Sequence, residues 1–333
     1  MEKDILFGSC LPPFGDCADR FVLSGYSGVK RTPVEMIKRA GKVKSLSGIE
    51  LVGTWHLSNE NIREIKKVVK DVGLKVCMVT PDMWARGKWG KGGFTSRDEK
   101  IRKEAIRDVK ASMDWAIELD CDAIDLWFGQ DGYDYLFQAN YVEAWDRLVE
   151  ATRECADYRP EVKVCLEYKI KEPRTHIFVG TAGKALLLAR EVNRDNVGVL
   201  VDVGHALAAG ENPAESIALL SRSKKLFYLH FNDNYATWDD DMMVGSVHLP
   251  QYLELLYWLK RTGYKGWHTL DIFPYREDGV RAVEESIAWI KGLYELLNRI
   301  DYQRIEKIIE EGDATQASGI LRTSILSWSQ NRV

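Results

Sequence analysis

Short apolar runs alternate with longer segments of helical period along most of the chain. The runs predict strands at Ile5–Gly8, Gly48–Val52, Lys75–Val79, Ala123–Trp127, Val162–Glu167, Val197–Asp202, Leu226–His230 and Trp267–Asp271. The periodic segments between them predict helices at Pro33–Lys42, Asn59–Val72, Asp98–Glu118, Tyr141–Asp157, Ala182–Val192, Pro213–Ser223, Pro250–Arg261 and Val280–Leu297. Because the strands are continuously apolar and do not alternate, both of their faces should be buried, as in a parallel sheet. Glycines mark helix stops at Val72-Gly-Leu and Thr262-Gly-Tyr.

Strand–helix units repeated in this way predict an α/β fold, a closed (β/α)₈ TIM barrel with its site at the C-terminal ends of the strands. An open doubly wound sheet would bring a glycine-rich phosphate loop early in the chain, and Gly8-Ser-Cys does not resemble one. Two further helices, Tyr302–Gly312 and Ala314–Trp328, follow the barrel. The expected organisation is therefore a barrel over residues 1–298 and a C-terminal helical arm over 299–333, packed on a neighbour or on the barrel floor.

Composition narrows the class without changing it. The chain has 333 residues, within reach of one barrel with insertions. A net charge of −4 gives no electrostatic footprint for nucleic acid. No run approaches the roughly 20 apolar residues of a membrane span, and the N-terminus lacks a signal peptide's basic start and apolar core. The cysteines at 10, 17, 77, 121, 155 and 165 form no CxxC pair, and Cys77 and Cys165 read as buried reduced thiols. A cytoplasmic enzyme is the expectation, with neither a nucleic acid nor a membrane as partner.

The chemistry gathers where the later strands end. Val162-Lys-Val-Cys-Leu-Glu167 ends in a carboxylate with Lys169 two residues on, and Val197–Asp202 ends in another with His205 one turn beyond. Leu226–His230 ends in an imidazole, Trp238-Asp-Asp-Asp241 follows, and Trp267–Asp271 ends in a further carboxylate. A carboxylate just inside an apolar strand end is costly to bury unpaired, and a cation reached by Glu167, Asp202, His230 and Asp271 together would resolve that cost. His205 and the Asp239/Asp241 pair form a second cluster, with Asp202 between two adjacent cations. Oxygen donors mixed with imidazole suit Mn²⁺, Mg²⁺, Co²⁺ or Zn²⁺; Mn²⁺ is the expected metal, one or two per subunit. Lys169 is placed to hold a substrate oxygen and offset developing negative charge. His56 is a candidate acid/base for opening a cyclic sugar, and Trp127, Trp84 and Phe94 are candidates to stack on a sugar's apolar face.

At these residues the chain resembles the xylose-isomerase-like sugar isomerase and epimerase superfamily. Leu166-Glu-Tyr-Lys169, Asp202-Val-Gly-His205, His230-Phe-Asn-Asp233, Asp239-Asp-Asp241 and Asp271 match the metal-site order of its isomerase branch, closest to rhamnose and xylose isomerases. The resemblance implies a structural metal on Glu167, Asp202, His230 and Asp271, and a catalytic metal on Asp202, His205, Asp239 and Asp241. It implies that Lys169 polarises the carbonyl oxygen at C1, and that Gly129–Asp134 is a substrate-facing loop. His230 departs from xylose isomerase, which has a carboxylate there.

The expected activity is aldose–ketose isomerisation of a free monosaccharide by a hydride shift between C1 and C2. C3 epimerisation of a ketose, with Glu167 and Asp271 carrying protons, is the alternative. The apolar residues of 302–328, Trp328 among them, lead us to expect a homodimer or homotetramer held partly by the arm. The resemblance makes Phe14 or Phe21 a candidate to complete a neighbouring subunit's pocket, with local packing as the alternative.

Overall fold

The apolar runs form strands because each can bury both faces. β1 (Phe7–Cys10), β2 (Gly48–Val52), β3 (Lys75–Thr80) and β4 (Ala123–Trp127) are followed by a short strand β5 (Gly132–Tyr133). β6 (Lys163–Glu167) precedes two short strands, β7 (Lys171–Glu172) and β8 (Thr175–Ile177). β9 (Val197–Asp202), β10 (Leu226–Phe231) and β11 (His268–Leu270) complete the set. In the computed structural model, which describes residues 5–19 and 21–330 (side chains through 326), the order β1-β2-β3-β4-β6-β9-β10-β11 closes on itself. Every barrel pairing is parallel. β5, β8 and β7 form a separate antiparallel ribbon, a feature absent from the sequence expectation.

Helices cover the barrel: α1 (Pro33–Ala40), α2 (Ile62–Asp71), α3 (Glu99–Glu118), α4 (Tyr141–Tyr158) and α5 (Ala182–Val192). The short α6 (Val203–Ala208) follows β9 directly, and α7 (Pro213–Arg222), α8 (Leu249–Thr262) and α9 (Gly279–Arg299) complete the wall. Their starts are set by local chemistry. Thr32 and Glu35 close a reciprocal capping box at α1, and Gly263 takes a left-handed φ of 72° where α8 ends.

The arm is α10 (Tyr302–Glu311) and α11 (Ala314–Gln330). It folds back on its own barrel: Ile308 and Ile320 are buried, Lys260 lies over the Tyr302 ring, and Ile305, Leu321 and Ile325 pack against the core. Leu326 and Ile309 stay exposed, and the Trp328 side chain lies outside the described residues. Phe14 is fully buried, which fits local packing; Phe21 is 78% exposed. All the cysteines are free and buried. Among the described residues no helix is long and apolar enough to cross a membrane.

Candidate metal and substrate site

Register puts the candidate ligands at one end of the barrel. Trp127 at the end of β4 is level with Glu167 at the end of β6, and Asp202 is level with His230. One oxygen or nitrogen each from Glu167, Asp202, His230 and Asp271 falls within a 4.8 Å sphere of mutual separation. Asp202, His205 and Asp239 form a second such group, so Asp202 is shared as its position between the clusters suggested. Asp202 reaches both because it ends a strand and caps a helix. Its Oδ1 accepts the His205 backbone N–H at 2.7 Å, which starts α6 and sets His205 one turn on.

The two imidazoles are held through different ring nitrogens. His205 Nδ1 lies 2.9 Å from the Tyr168 carbonyl oxygen, leaving Nε2 3.0 Å from Asp239 Oδ2. His230 Nε2 lies 3.0 Å from Glu50 Oε2, and its Nδ1 faces Glu167 Oε1 at 3.2 Å. Lys169 Nζ is 2.8 Å from Asp239 and 2.6 Å from Glu172, and stands over the Trp127 ring. The ribbon that supplies Glu172 thus helps fix the lysine.

Burial strains the charges. It raises the pKa of Asp202 to about 7, with Asp239 and Glu167 adding to the effect and His205 opposing it. Burial also raises Asp125, Asp241 and Asp271. At Asp239 the burial effect is outweighed by Lys169 and His205, which hold the carboxyl well below its ordinary range. Burial opposes charge on His205, but Asp202 and Asp239 carry it up to about 9. A buried excess of carboxylates with two imidazole rings among them fits a hard divalent cation, which would relieve the repulsion and take the place of ring protons.

A cavity of about 170 Å³ opens over these groups. Lys169, Asp239, Asp241 and Asp271 line it, with Trp84 and Trp127 meeting edge to face at 4.9 Å. Asp241 lines the cavity outside the second ligand group, with its backbone at a left-handed φ of 46°. Two expected site residues stand elsewhere. His56 turns its Nδ1 to accept the Val52 N–H at 2.9 Å, and burial lowers its pKa to about 3, so it is a neutral packed histidine. Its neighbour Trp55 lines the cavity instead. Phe94 is fully buried against Phe128 and does not reach the cavity. The Gly129–Asp134 loop is tied down internally, Asp131 accepting from the Thr95 N–H and hydroxyl at 2.7 Å.

Three polar residues went unassigned in the sequence. Glu50 and Asp125 sit in mid-strand on β2 and β4, both buried, and carry the same signal as the chosen ligands: a carboxylate inside an apolar run. Asn232 donates to Asp202 Oδ2 at 2.8 Å. Asp233 instead organises the following loop, accepting from the Val247 and His248 N–H groups.

Comparison with known proteins identifies the family and the fold. The chain is 30% identical over 230 residues to the xylose isomerases of Thermus thermophilus and Thermus caldophilus. The match takes in 66% of this chain but 59% of each relative, so the chain spans less than two thirds of their length. Among solved structures, a D-tagatose 3-epimerase-like protein superposes with a TM-score of 0.70 at 20% identity, over 88% of this chain and 98% of that one. A 3-keto-D-glucoside 4-epimerase from E. coli gives 0.68 at 17% identity, over 86% and 99%. A D-psicose 3-epimerase from Clostridium cellulolyticum gives 0.65 at 18% identity, over 87% and 99%. At such identities these superpositions speak for the fold alone. The model of the xylose isomerase-like TIM barrel family matches residues 34–293, and with the closed parallel barrel in place the chain belongs to that family.

Proposed function

We propose that the protein is a divalent-metal-dependent aldose–ketose isomerase of a free monosaccharide. The observation that carries this reading is Lys169: a buried ammonium in the cavity, braced by Asp239 and Glu172 beside the second ligand group. The residues that would hold metal are Glu167, Asp202, His230 and Asp271 for one ion, and Asp202, His205 and Asp239 for another, with Asp241 at the rim. When bound, such ions supply Lewis acidity toward substrate oxygens. Mn²⁺ suits the mixed oxygen and imidazole donors, with Mg²⁺, Co²⁺ and Zn²⁺ as alternatives.

The side chains divide the remaining work. Lys169 donates a hydrogen bond to the carbonyl oxygen at C1 and offsets negative charge there while hydrogen moves between C1 and C2. Trp127 and Trp84 present apolar ring surface to the sugar's carbon face. The cavity lies below the roughly 300–1,000 Å³ of pockets for drug-sized ligands, which suits one monosaccharide.

A second reading, C3 epimerisation of a ketose, draws on Glu167 and Asp271 standing 3.2 and 3.7 Å from His230 Nδ1, as two carboxylates available to carry protons. It also draws on the ketose 3-epimerases among the superposed structures. One experiment separates the two. Chelator-treated protein is resupplied with Mn²⁺ and offered pentoses, hexoses and 6-deoxyhexoses in D₂O. Isomerisation by hydride shift gives the aldose–ketose partner with no deuterium at C1 or C2. A C3 epimer carrying deuterium would overturn the isomerase reading, and saturable binding without product would mark a non-catalytic sugar-binding barrel.

A further inference from the structure

Glu50 is the third residue of Gly48-Ile-Glu-Leu-Val52, between the fully buried Ile49 and Leu51, and is itself 3% exposed. A carboxylate at such a position is costly unless its oxygens are occupied. Both are. Oε1 accepts the Thr80 hydroxyl at 2.7 Å, and Oε2 faces His230 Nε2 at 3.0 Å. The other ring nitrogen, Nδ1, looks the opposite way: 3.2 Å from Glu167 Oε1, 3.7 Å from Asp271 Oδ2 and 3.9 Å from Asp202 Oδ2.

A neutral imidazole has one N–H and one lone pair, and an ionised carboxylate only accepts. Each ring nitrogen thus faces a carboxylate; with a divalent ion in the group, Nδ1 would give up its proton and turn a lone pair toward the ion, while Glu50 would keep the remaining N–H at Nε2. Without Glu50, the opposite tautomer becomes available. Its Nδ1–H would donate to Glu167 and present a proton to the ligand group in place of a lone pair. We propose that Glu50, steadied by Thr80, is a positioning residue that fixes the tautomer and ring orientation of His230, so that Nδ1 is delivered as a divalent-metal ligand. A carboxylate behind a ligating histidine also raises its basicity, and losing such a partner typically weakens metal binding about 10–100-fold. This inference rests on the divalent site proposed above and goes beyond it, because it gives a role to a strand that contributes no ligand.

The test is Mn²⁺ titration of the metal-free full-length protein by calorimetry, alongside circular dichroism to verify folding. Glu50→Leu should weaken binding at the Glu167–Asp202–His230–Asp271 group roughly 10–100-fold. Glu50→Gln keeps an oxygen to accept the Nε2 proton and should stay within a few-fold of wild type. In Mg²⁺-loaded protein, ¹⁵N shifts of the His230 ring should report the Nε2–H tautomer in the wild type and in Glu50→Gln. Wild-type affinity in Glu50→Leu would overturn the proposal, as would equal losses in the Leu and Gln variants. Should Leu at position 50 prevent folding, Thr80→Val decides. A several-fold loss restored by Thr80→Ser supports the role, and unchanged affinity refutes it. A wild-type protein that takes up no divalent cation would instead bring down the metal site itself.

Discussion

Replacing Lys169 by Met tests the charge balance of the site most directly. The Lys169 and Asp239 side chains are 9% and 4% exposed and 2.8 Å apart, well away from the screened surface regime worth about 0–1 kcal/mol. Removing one partner of a buried pair costs about 3–5 kcal/mol, because the other charge stays buried and uncompensated. His205 Nε2 remains 3.0 Å from Asp239 and takes up part of that loss, so about 3 kcal/mol is expected for Lys169→Met in metal-free protein. The double variant Lys169→Met/Asp239→Asn removes both charges and should regain much of it, leaving a coupling energy of about 2 kcal/mol. The same substitution should tighten Mn²⁺ at Asp202–His205–Asp239. Unit charges about 4 Å apart interact by about 4 kcal/mol at an effective dielectric of about 20, and a third of that is about tenfold. Turnover should nevertheless fall by roughly 10²-fold or more, the scale of losing one preorganised charge-stabilising group. Urea denaturation of the metal-free variants gives the cycle, and calorimetry gives the affinity. Additive single-variant effects, or weaker Mn²⁺ binding in Lys169→Met, would refute the reasoning.

Three further outcomes follow from the same structure. His205→Ala should spare the first ligand group and empty the second, halving the bound Mn²⁺ per chain by elemental analysis; an unchanged content refutes the two-group assignment. His268, buried against Phe231 and Tyr294, is held by burial at about 4 against an ordinary 6.5. The unfolded chain therefore takes a proton first as pH falls. His268 alone contributes a loss of about 3 kcal/mol between pH 6.5 and 4, and His268→Gln should flatten that part of the urea-midpoint profile, with parallel profiles refuting it. Truncation after Asn298 should lower the assembly state in sedimentation if α10 and α11 help hold a homo-oligomer; an unchanged state would leave the arm as a cover for its own barrel.

The barrel was legible because its strands are buried on both faces, which leaves uninterrupted apolar runs that periodicity separates from helices. Glu167, Asp202 and His230 were legible because each closes such a run, where the chain turns toward the strand ends. Glu50 and Asp125 were passed over because they lie in mid-strand, and a single polar residue inside an apolar run does not disclose which side of the barrel wall it faces. His56 and Phe94 were overread for the opposite reason. Each follows a strand in the sequence, but Thr54 takes a left-handed φ of 62° just after β2, so that Trp55 lines the cavity while His56 is buried, and Phe94, further along its loop, packs against Phe128. The β5–β8–β7 ribbon was invisible because its strands are only two or three residues long.

The two histidines also suggest how the proposed pair of ions would be held differently at one barrel end. His205 is backed by a backbone carbonyl, which no single side-chain substitution removes, and His230 by a carboxylate, which one does. A carboxylate makes the imidazole it backs the more basic donor. His230 belongs to the group with two carboxylates from other strand ends and Asp202 shared, whereas the second group has Lys169 beside it, an ammonium that opposes a cation. Under the proposed two-ion reading, donor strength and local charge would point the same way: a more firmly held ion on Glu167, Asp202, His230 and Asp271, and a more exchangeable one on Asp202, His205 and Asp239. That asymmetry would put the Lys169 ammonium beside the more weakly held ion, in keeping with the charge-stabilising role proposed for it.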